Sequence, residues 1–322
     1  MTDPILKVRN LKVEYATPHG PAKAVGGVNF DLEEGEFLAI VGESGCGKST
    51  LLFAIAQLLT YPASLVGGSV EFQGVDLSTL NEDELRKYRW RDISVVMQSA
   101  MNALNPTLTI GKQLVDTCKA HTGWSDEKIA NRSREVLAMV SIDPVHLKSY
   151  PFQLSGGMRQ RAMIAMALLL NPKLIIMDEP TSALDVVAQR SLMSQIQELR
   201  KKLGFSIIFV THDMNVVSHF SDRLAVMYAG QIVELGGTRK VFDEPLHPYS
   251  MGLMDAFPSL IGPARELLGI PGNPPSLIAE HHGCFFAPRC TSVVDICHTL
   301  KPELLSEQNH AVRCHVANPV QL

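Results

Sequence analysis

Residues Gly42–Thr50 read "GESGCGKST". The residues before them, "EFLAIV" (Glu36–Val41), are a short apolar run between Gly35 and Gly42, which predicts a buried strand. The residues after them, "STLLFAIAQLL" (Ser49–Leu59), predict a helix by composition and length. A strand, then G-x-x-x-x-G-K-[ST], then a helix is the context in which this pattern holds phosphate. The glycines let main-chain N–H groups turn inward around phosphate oxygens, and the helix N-terminus adds its dipole. Lys48 supplies a cation for the β- and γ-phosphates, and the Ser49 hydroxyl is a ligand for Mg²⁺. Gly42, Glu43, Ser44, Gly45, Cys46, Gly47, Lys48, Ser49 and Thr50 are therefore expected to line a nucleotide site.

A second strand is needed to bring an acid to the metal. "KLIIMDE" (Lys173–Glu179) supplies one, with four apolar residues followed by Asp178 and Glu179. Asp178 is expected to hold Mg²⁺ and Glu179 to polarise an attacking water. Two adjacent acids closing a buried strand cost desolvation unless a cation is near. "SIIFVTHD" (Ser206–Asp213) predicts a further buried strand, and Leu184–Leu203 carries apolar residues at helical spacing with Gly204 as C-cap. Strands alternating with helices predict an α/β fold with a parallel sheet. "RLAVMYAGQIVELG" (Arg223–Gly236) predicts a hairpin turning at Ala229–Gly230.

From Ser99 to Leu170 helix formers dominate and no strand is evident, so this stretch is expected to be a helical insertion. From Gly237 onward prolines accumulate (Pro245, Pro248, Pro258, Pro263, Pro271, Pro274, Pro275), marking a loop-rich extension. The expected organisation is two nucleotide-binding segments, 1–98 and 171–236, separated by a helical segment at 99–170 and followed by an accessory domain at 237–322.

The totals set limits. The chain has 322 residues, 46% hydrophobic and 19% charged, a globular composition. A net charge of −4 gives no general attraction to nucleic acid. The opening "MTDPILKVRN" lacks a basic and then apolar leader, and the longest apolar run, Ala162–Leu170, is far short of the ~20 residues a membrane span needs. A cytosolic protein is expected, with any membrane role exercised through partners. Cys46 and Cys118 stand alone and read as small buried hydrophobes.

Several further stretches occur together in one superfamily. "LSGGM" (Leu154–Met158) resembles the ABC signature, departing at Met158, where glutamine is commonest. Gln98, after the apolar "ISVVM", is similar to the Q-loop glutamine, an expected Mg²⁺ ligand and catalytic residue. "SALD" (Ser182–Asp185) resembles the D-loop, His212 the switch histidine, and Tyr15 the aromatic that stacks on adenine. The resemblance implies a P-loop (RecA-like) ABC nucleotide-binding domain with a helical insertion, working as a dimer that sandwiches ATP. Ser155, Gly156, Gly157 and Asp185 would then face the partner's nucleotide, and Glu179 and His212 would act in hydrolysis.

The branch is suggested by "HPYSMGLMDAFP" (His247–Pro258), "IPGNPPSL" (Ile270–Leu277), "LSGGMRQRAMIAMAL" and "SAMNALNP" (Ser99–Pro106), which are similar to dipeptide and oligopeptide importers. That likeness implies an ATP-binding subunit on the cytoplasmic face of the cell membrane. Its partners would be a homologous ATP-binding subunit, two permeases and an extracytoplasmic binding protein. Oligosaccharide and nickel importers share the branch. A non-transport ATPase of repair or translation and a binding module with a dead site are the other classes weighed. The single domain and acidic charge oppose the former, and the presence of Lys48, Asp178, Glu179 and His212 opposes the latter.

Four of the six cysteines, Cys284, Cys290, Cys297 and Cys314, lie in the extension at spacing C-x5-C-x6-C-x16-C. Four thiolates can close a zinc site or hold a [4Fe–4S] cluster. Zinc favours short C-x2–4-C knuckles, which are missing, although His281, His282, His298, His310 and His315 offer mixed ligation. The tail resembles that of peptide importers thought to bind an iron–sulfur cluster, so a small metal-binding extension is expected.

Overall fold

The structure is a computed structural model, and it describes residues 3–98, 103–182, 184–256 and 269–318. Parts of three sequence readings lie outside these residues: Ser99–Asn102, Ala183 of the "SALD" turn, and the stretch from Phe257 that holds Pro258 and Pro263.

In chain order the elements are β1 (Leu6–Tyr15), β2 (Ala22–Leu32), β3 (Phe37–Val41), α1 (Lys48–Ile55), β4 (Ala63–Phe72), β5 (Val75–Asp76), α2 (Glu82–Leu85) and β6 (Ile93–Val96). There follow α3 (Ile110–His121), α4 (Asp126–Met139), α5 (Gly156–Ala167), β7 (Leu174–Asp178), α6 (Val186–Leu203) and β8 (Ser206–Val210). The chain continues with α7 (Met214–Phe220), β9 (Arg223–Tyr228), β10 (Gln231–Gly237), α8 (Thr238–Asp243) and α9 (Pro248–Asp255). It closes with α10 (Ile296–Thr299), β11 (Leu305–Glu307) and β12 (His310–Val312). The chain divides into two compact units, one of residues 1–32, 38–78 and 210–322, the other of 33–37 and 79–209.

In the first unit β3 lies parallel to β9, with Val41 opposite Val226. All five residues of β3 are buried, as a strand covered on both faces requires. The β9–β10 hairpin turns at Ala229 and Gly230, both left-handed (φ 46° and 78°), as the sequence predicts. Beside these strands is an antiparallel sheet of order β2-β1-β4-β5, which the sequence reading did not anticipate. Its central strand does not alternate cleanly: β1 shifts register on both sides of Leu11, and Asn10 sits at φ 46°.

The extension shares its core with the strands that carry the phosphate loop. Tyr249 and Phe286 belong to one buried cluster with Ala39, Val41, Val226 and Tyr228. Tyr228 packs on Tyr249 at 4.6 Å between centroids and edge-on against Phe286 at 5.3 Å. β12 pairs with β10, and β11 pairs with β12, so the last described strands lengthen this sheet.

In the second unit β6 and β7 are parallel, Val96 opposite Met177, with β8 on the far side of β7. Among its described residues the stretch 103–170 forms helices and no strand. Thr109, Ser125 and Ser155 cap α3, α4 and α5 by accepting the main-chain N–H three residues on. Buried Arg132 of α4 donates to the Leu168 and Leu169 carbonyls at 2.8 and 2.9 Å and so closes the C-terminus of α5. Helix α6 ends on Gly204 in the left-handed conformation (φ 78°).

Candidate functional site

The phosphate loop begins where β3 ends. Because Val41 faces Val226, Gly42 comes against the main chain of Met227, and a Cβ there would stand 2.1 Å from the Met227 carbonyl oxygen. Gly47, at φ 101°, is closed in the same way by the Ala24 carbonyl oxygen at 2.1 Å. Only glycine fits either position, and the loop is thereby pressed against two neighbouring strands.

Lys48 opens α1 and is buried. Its Nζ donates to the Gly42 and Glu43 carbonyl oxygens at 2.8 and 2.9 Å, so the ammonium sits inside the curl of the loop. A desolvated cation ringed by main-chain groups at a helix start is a preformed seat for an anion. Cys46 is buried in the same curl, and burial pushes its thiol up, so it remains a neutral small side chain. Cys118 is likewise buried, with its thiol raised by burial. Ser44 and Gly45 are exposed at the tip, and Ser49 is half-buried.

Two other predicted residues lie in this unit. The half-buried Tyr15, at the end of β1, has its hydroxyl 3.1 Å from Thr50 Oγ1. The exposed His212 follows Thr211, whose N–H reaches the Ile40 carbonyl, two residues before the loop.

The second unit holds the remaining candidates. The parallel register of β6 and β7 carries Gln98 and Glu179 to equivalent positions, each two residues past a paired partner. Gln98 Nε2 donates to Glu179 Oε2 at 3.0 Å. Asp178 is the last residue of β7 and is buried. Glu179 adopts φ 44°, a left-handed conformation that costs a non-glycine residue about 1–3 kcal/mol and is characteristic of functional turns. Thr181, buried, accepts from Gln189 Nε2 at 3.0 Å and receives the Leu184 N–H on its carbonyl at 3.0 Å. Sequence reading missed this brace, whose two side chains lie eight residues apart.

Ser155 is the exposed N-cap of α5, and Gly156 and Gly157 open the helix. The Ser155 hydroxyl accepts the Met158 N–H at 3.3 Å. Asp185 caps α6 by accepting the Ala188 N–H at 2.8 Å. Both are built as helix starts with outward main-chain N–H groups.

The four tail cysteines are free, Cys297 and Cys314 buried and Cys284 and Cys290 half-buried. The Cys284 N–H donates to the Cys297 carbonyl at 2.8 Å. Burial pushes the Cys284 thiol up to about 11, and Cys297 and Cys314 add to this as like charges. Cys290 is raised by burial, again with Cys314 and Cys297 adding. Among the described residues, however, no three His, Cys, Asp or Glu side chains are grouped to hold a metal ion. Three of the five histidines that could offer mixed ligation are engaged elsewhere: His310 pairs with Glu234 at 2.7 Å, His315 with the Leu300 carbonyl at 2.9 Å, and His281 with the Ser276 carbonyl at 3.0 Å. No helix among the described residues is long and apolar enough to cross a membrane.

Comparison with known proteins agrees with this geometry. The family described as ABC transporter matches residues 25–182, and the oligopeptide/dipeptide transporter C-terminal region matches residues 233–297. A dipeptide transport ATP-binding protein of Caldanaerobacter subterraneus subsp. tengcongensis is 42% identical over 97% of this chain and 97% of its own. An oligopeptide transport ATP-binding protein of Salmonella typhimurium is 45% identical over 92% of this chain and 89% of its own. Among solved structures, the ATP-binding cassette MJ0796, a dimer in a post-hydrolysis state bound to ADP and Pi, aligns with a TM-score of 0.66 at 33% identity, covering 73% of this chain and 99% of that one. Identity at this level along nearly the whole length of both chains leaves one reading, that this chain belongs to the ABC transporter ATP-binding proteins of the oligopeptide/dipeptide type.

Proposed function

We propose that this chain is the ATP-hydrolysing subunit that powers peptide import through a membrane ABC transporter. The observation that carries this reading is the phosphate loop: buried Lys48 held by the Gly42 and Glu43 carbonyls, within a curl that admits only glycine at Gly42 and Gly47. In this reading the loop residues Gly42–Thr50 hold the phosphates of ATP, and Tyr15 holds the adenine. Ser49, Asp178 and Gln98 would hold Mg²⁺, which neutralises charge on the phosphate oxygens. Glu179 orients and polarises the attacking water, and His212 contacts the γ-phosphate. Ser155, Gly156, Gly157 and Asp185 face nucleotide held by a homologous subunit, so ATP closes the dimer and hydrolysis releases it. Most of the catalysis is positioning and electrostatics.

The choice of peptide over oligosaccharide or nickel rests on the relatives above, which are named for dipeptide and oligopeptide transport. The chain would act at the cytoplasmic face of the membrane, beside two permeases and an extracytoplasmic binding protein, with no nucleic-acid partner. The segmentation into 1–98, 99–170, 171–236 and 237–322 is retained as a functional division.

Glu179→Gln tests the engine. ATP binding is expected to persist while turnover nearly disappears, and wild-type ATPase in this variant would reject the assignment.

The tail cysteines are proposed to hold a [4Fe–4S] cluster. What supports this is the spacing of Cys284, Cys290, Cys297 and Cys314, which lacks the short knuckles that zinc favours, and the main-chain contact that joins Cys284 to Cys297. Such a cluster would staple the extension. Protein purified without oxygen should contain iron and sulfide and absorb visible light; colourless protein with stoichiometric zinc would reject the cluster.

A further inference from the structure

Glu43, the second residue of the phosphate loop, is held from outside by the extension at two points. The Tyr249 hydroxyl accepts the Glu43 N–H at 2.8 Å. The Arg289 guanidinium meets the Glu43 carboxylate through two parallel bonds, Nη1 to Oε2 and Nη2 to Oε1, both 2.8 Å. The Glu43 carbonyl is meanwhile the acceptor for Lys48 at 2.9 Å. Main-chain donor, main-chain acceptor and side chain of one loop residue are all committed.

Arg289 is built for this contact. Its side chain is only 5% exposed. Nε donates to the Pro271 carbonyl at 2.7 Å, Nη2 to the Ile270 carbonyl at 3.2 Å and Nη1 to the Tyr228 hydroxyl at 3.3 Å. The ring centroids of Tyr228 and Phe286 lie 5.7 and 5.9 Å from its central carbon. A paired fork with its other donors also satisfied keeps one orientation. Glu43 is 25% exposed, so its carboxylate borders solvent at the loop. Left unpaired, it would add a negative charge beside the seat for a polyphosphate.

We propose that Arg289 is a positioning residue for nucleotide binding, supplied by the extension to the phosphate loop. It fixes Glu43 and neutralises its charge, so that a carboxylate in the loop does not oppose ATP. This rests on the reading of Gly42–Thr50 as the phosphate site.

The test uses the full chain, with nucleotide affinity and ATPase rates measured on the same preparations. Arg289→Met is expected to raise the Kd and KM for ATP about tenfold, to raise those for ADP less because ADP carries less charge, and to leave kcat within about twofold. Removing the exposed charge as well, in Glu43→Gln/Arg289→Met, is expected to restore ATP affinity to within about threefold of wild type. Unchanged ATP affinity in Arg289→Met would overturn the proposal, as would a double variant no better than the single. A purely structural role would weaken ATP and ADP equally and lower Tm, with no rescue by Glu43→Gln. Should Arg289→Met fail to fold, Arg289→Lys carries the test: it keeps the cation but not the two-bond fork, so ATP affinity is expected to fall about threefold with ADP affected less, and unchanged ATP affinity there would overturn the proposal. Lys48→Ala, measured alongside, separates the two levels. If wild type binds no ATP, the phosphate-site reading fails; if Lys48→Ala abolishes binding and Arg289→Met changes nothing, only the role of Arg289 fails.

Discussion

Gln98 and Glu179 lie 81 residues apart in the chain and meet at 3.0 Å because the strands before them run parallel and in register. The amide donates to the carboxylate, so it fixes the rotamer of the residue proposed to orient water. Gln98→Ala is expected to lower kcat about tenfold with little change in KM, the lower end for a hydrogen bond to a charged group because both side chains are partly solvated. Steady-state ATPase kinetics check it; a rise in KM with kcat intact would instead assign Gln98 to ground-state binding.

Gly47→Ala should cost the loop its shape. The new Cβ meets the Ala24 carbonyl oxygen at 2.1 Å, and φ 101° is strained for any residue but glycine. A loss of at least ~1–3 kcal/mol is expected, with nucleotide binding lost or strongly weakened. Thermal unfolding with and without ATP measures both effects.

Glu234 is fully buried and accepts from the His310 ring at 2.7 Å and from the Leu246 and His247 N–H groups at 2.8 and 2.9 Å. His310→Ala removes one partner and leaves a buried carboxylate underserved. A cost of about 3 kcal/mol is expected, read as a fall of several degrees in Tm. Glu234→Gln added to His310→Ala should recover part of it, and a double variant less stable than the single would contradict the reading.

His247 gives the protein an acid limit. Burial, with a smaller contribution from Arg313, lowers its pKa from 6.5 to about 3. The folded state holds the ring neutral, since Nδ1 accepts the Tyr249 N–H at 3.0 Å, while the unfolded chain takes up a proton below about 6.5. Stability from this group is therefore complete above pH 6.5 and is lost as pH falls from there toward 3, at up to ~1.4 kcal/mol per pH unit. His247→Asn, which keeps an acceptor for the helix start, should flatten the dependence of Tm on pH across that range.

The elements legible in the sequence are those whose signal is local. Glu36–Thr50 carries strand, loop and helix within 15 residues, and β7 and β8 each hold four consecutive apolar residues. Gly204 and the Ala229–Gly230 turn announce themselves by residue type. The antiparallel sheet was not legible because register shifts in β1 break the period of two on which strand reading depends. Arg289 carries no local signal at all: its partner is 246 residues away, and the helix that would suggest its position is a single turn, Ala287–Arg289. Part of the candidate site, the brace between Thr181 and Gln189, depends on a turn geometry that no pattern of residue types encodes.

The hairpin of β11 and β12 has a consequence for solubility. β10 is buried from Ile232 through Gly236 and would otherwise present a row of unpaired main-chain groups on an apolar strand, the feature through which sheets recruit one another into aggregates. β12 pairs with β10 at Glu234 and Leu235, and the outermost strand becomes β11, three exposed residues long and carrying Glu307. A short, charged margin is a poor template for a neighbouring chain, so the final described segment acts as a selvedge along this edge of the sheet.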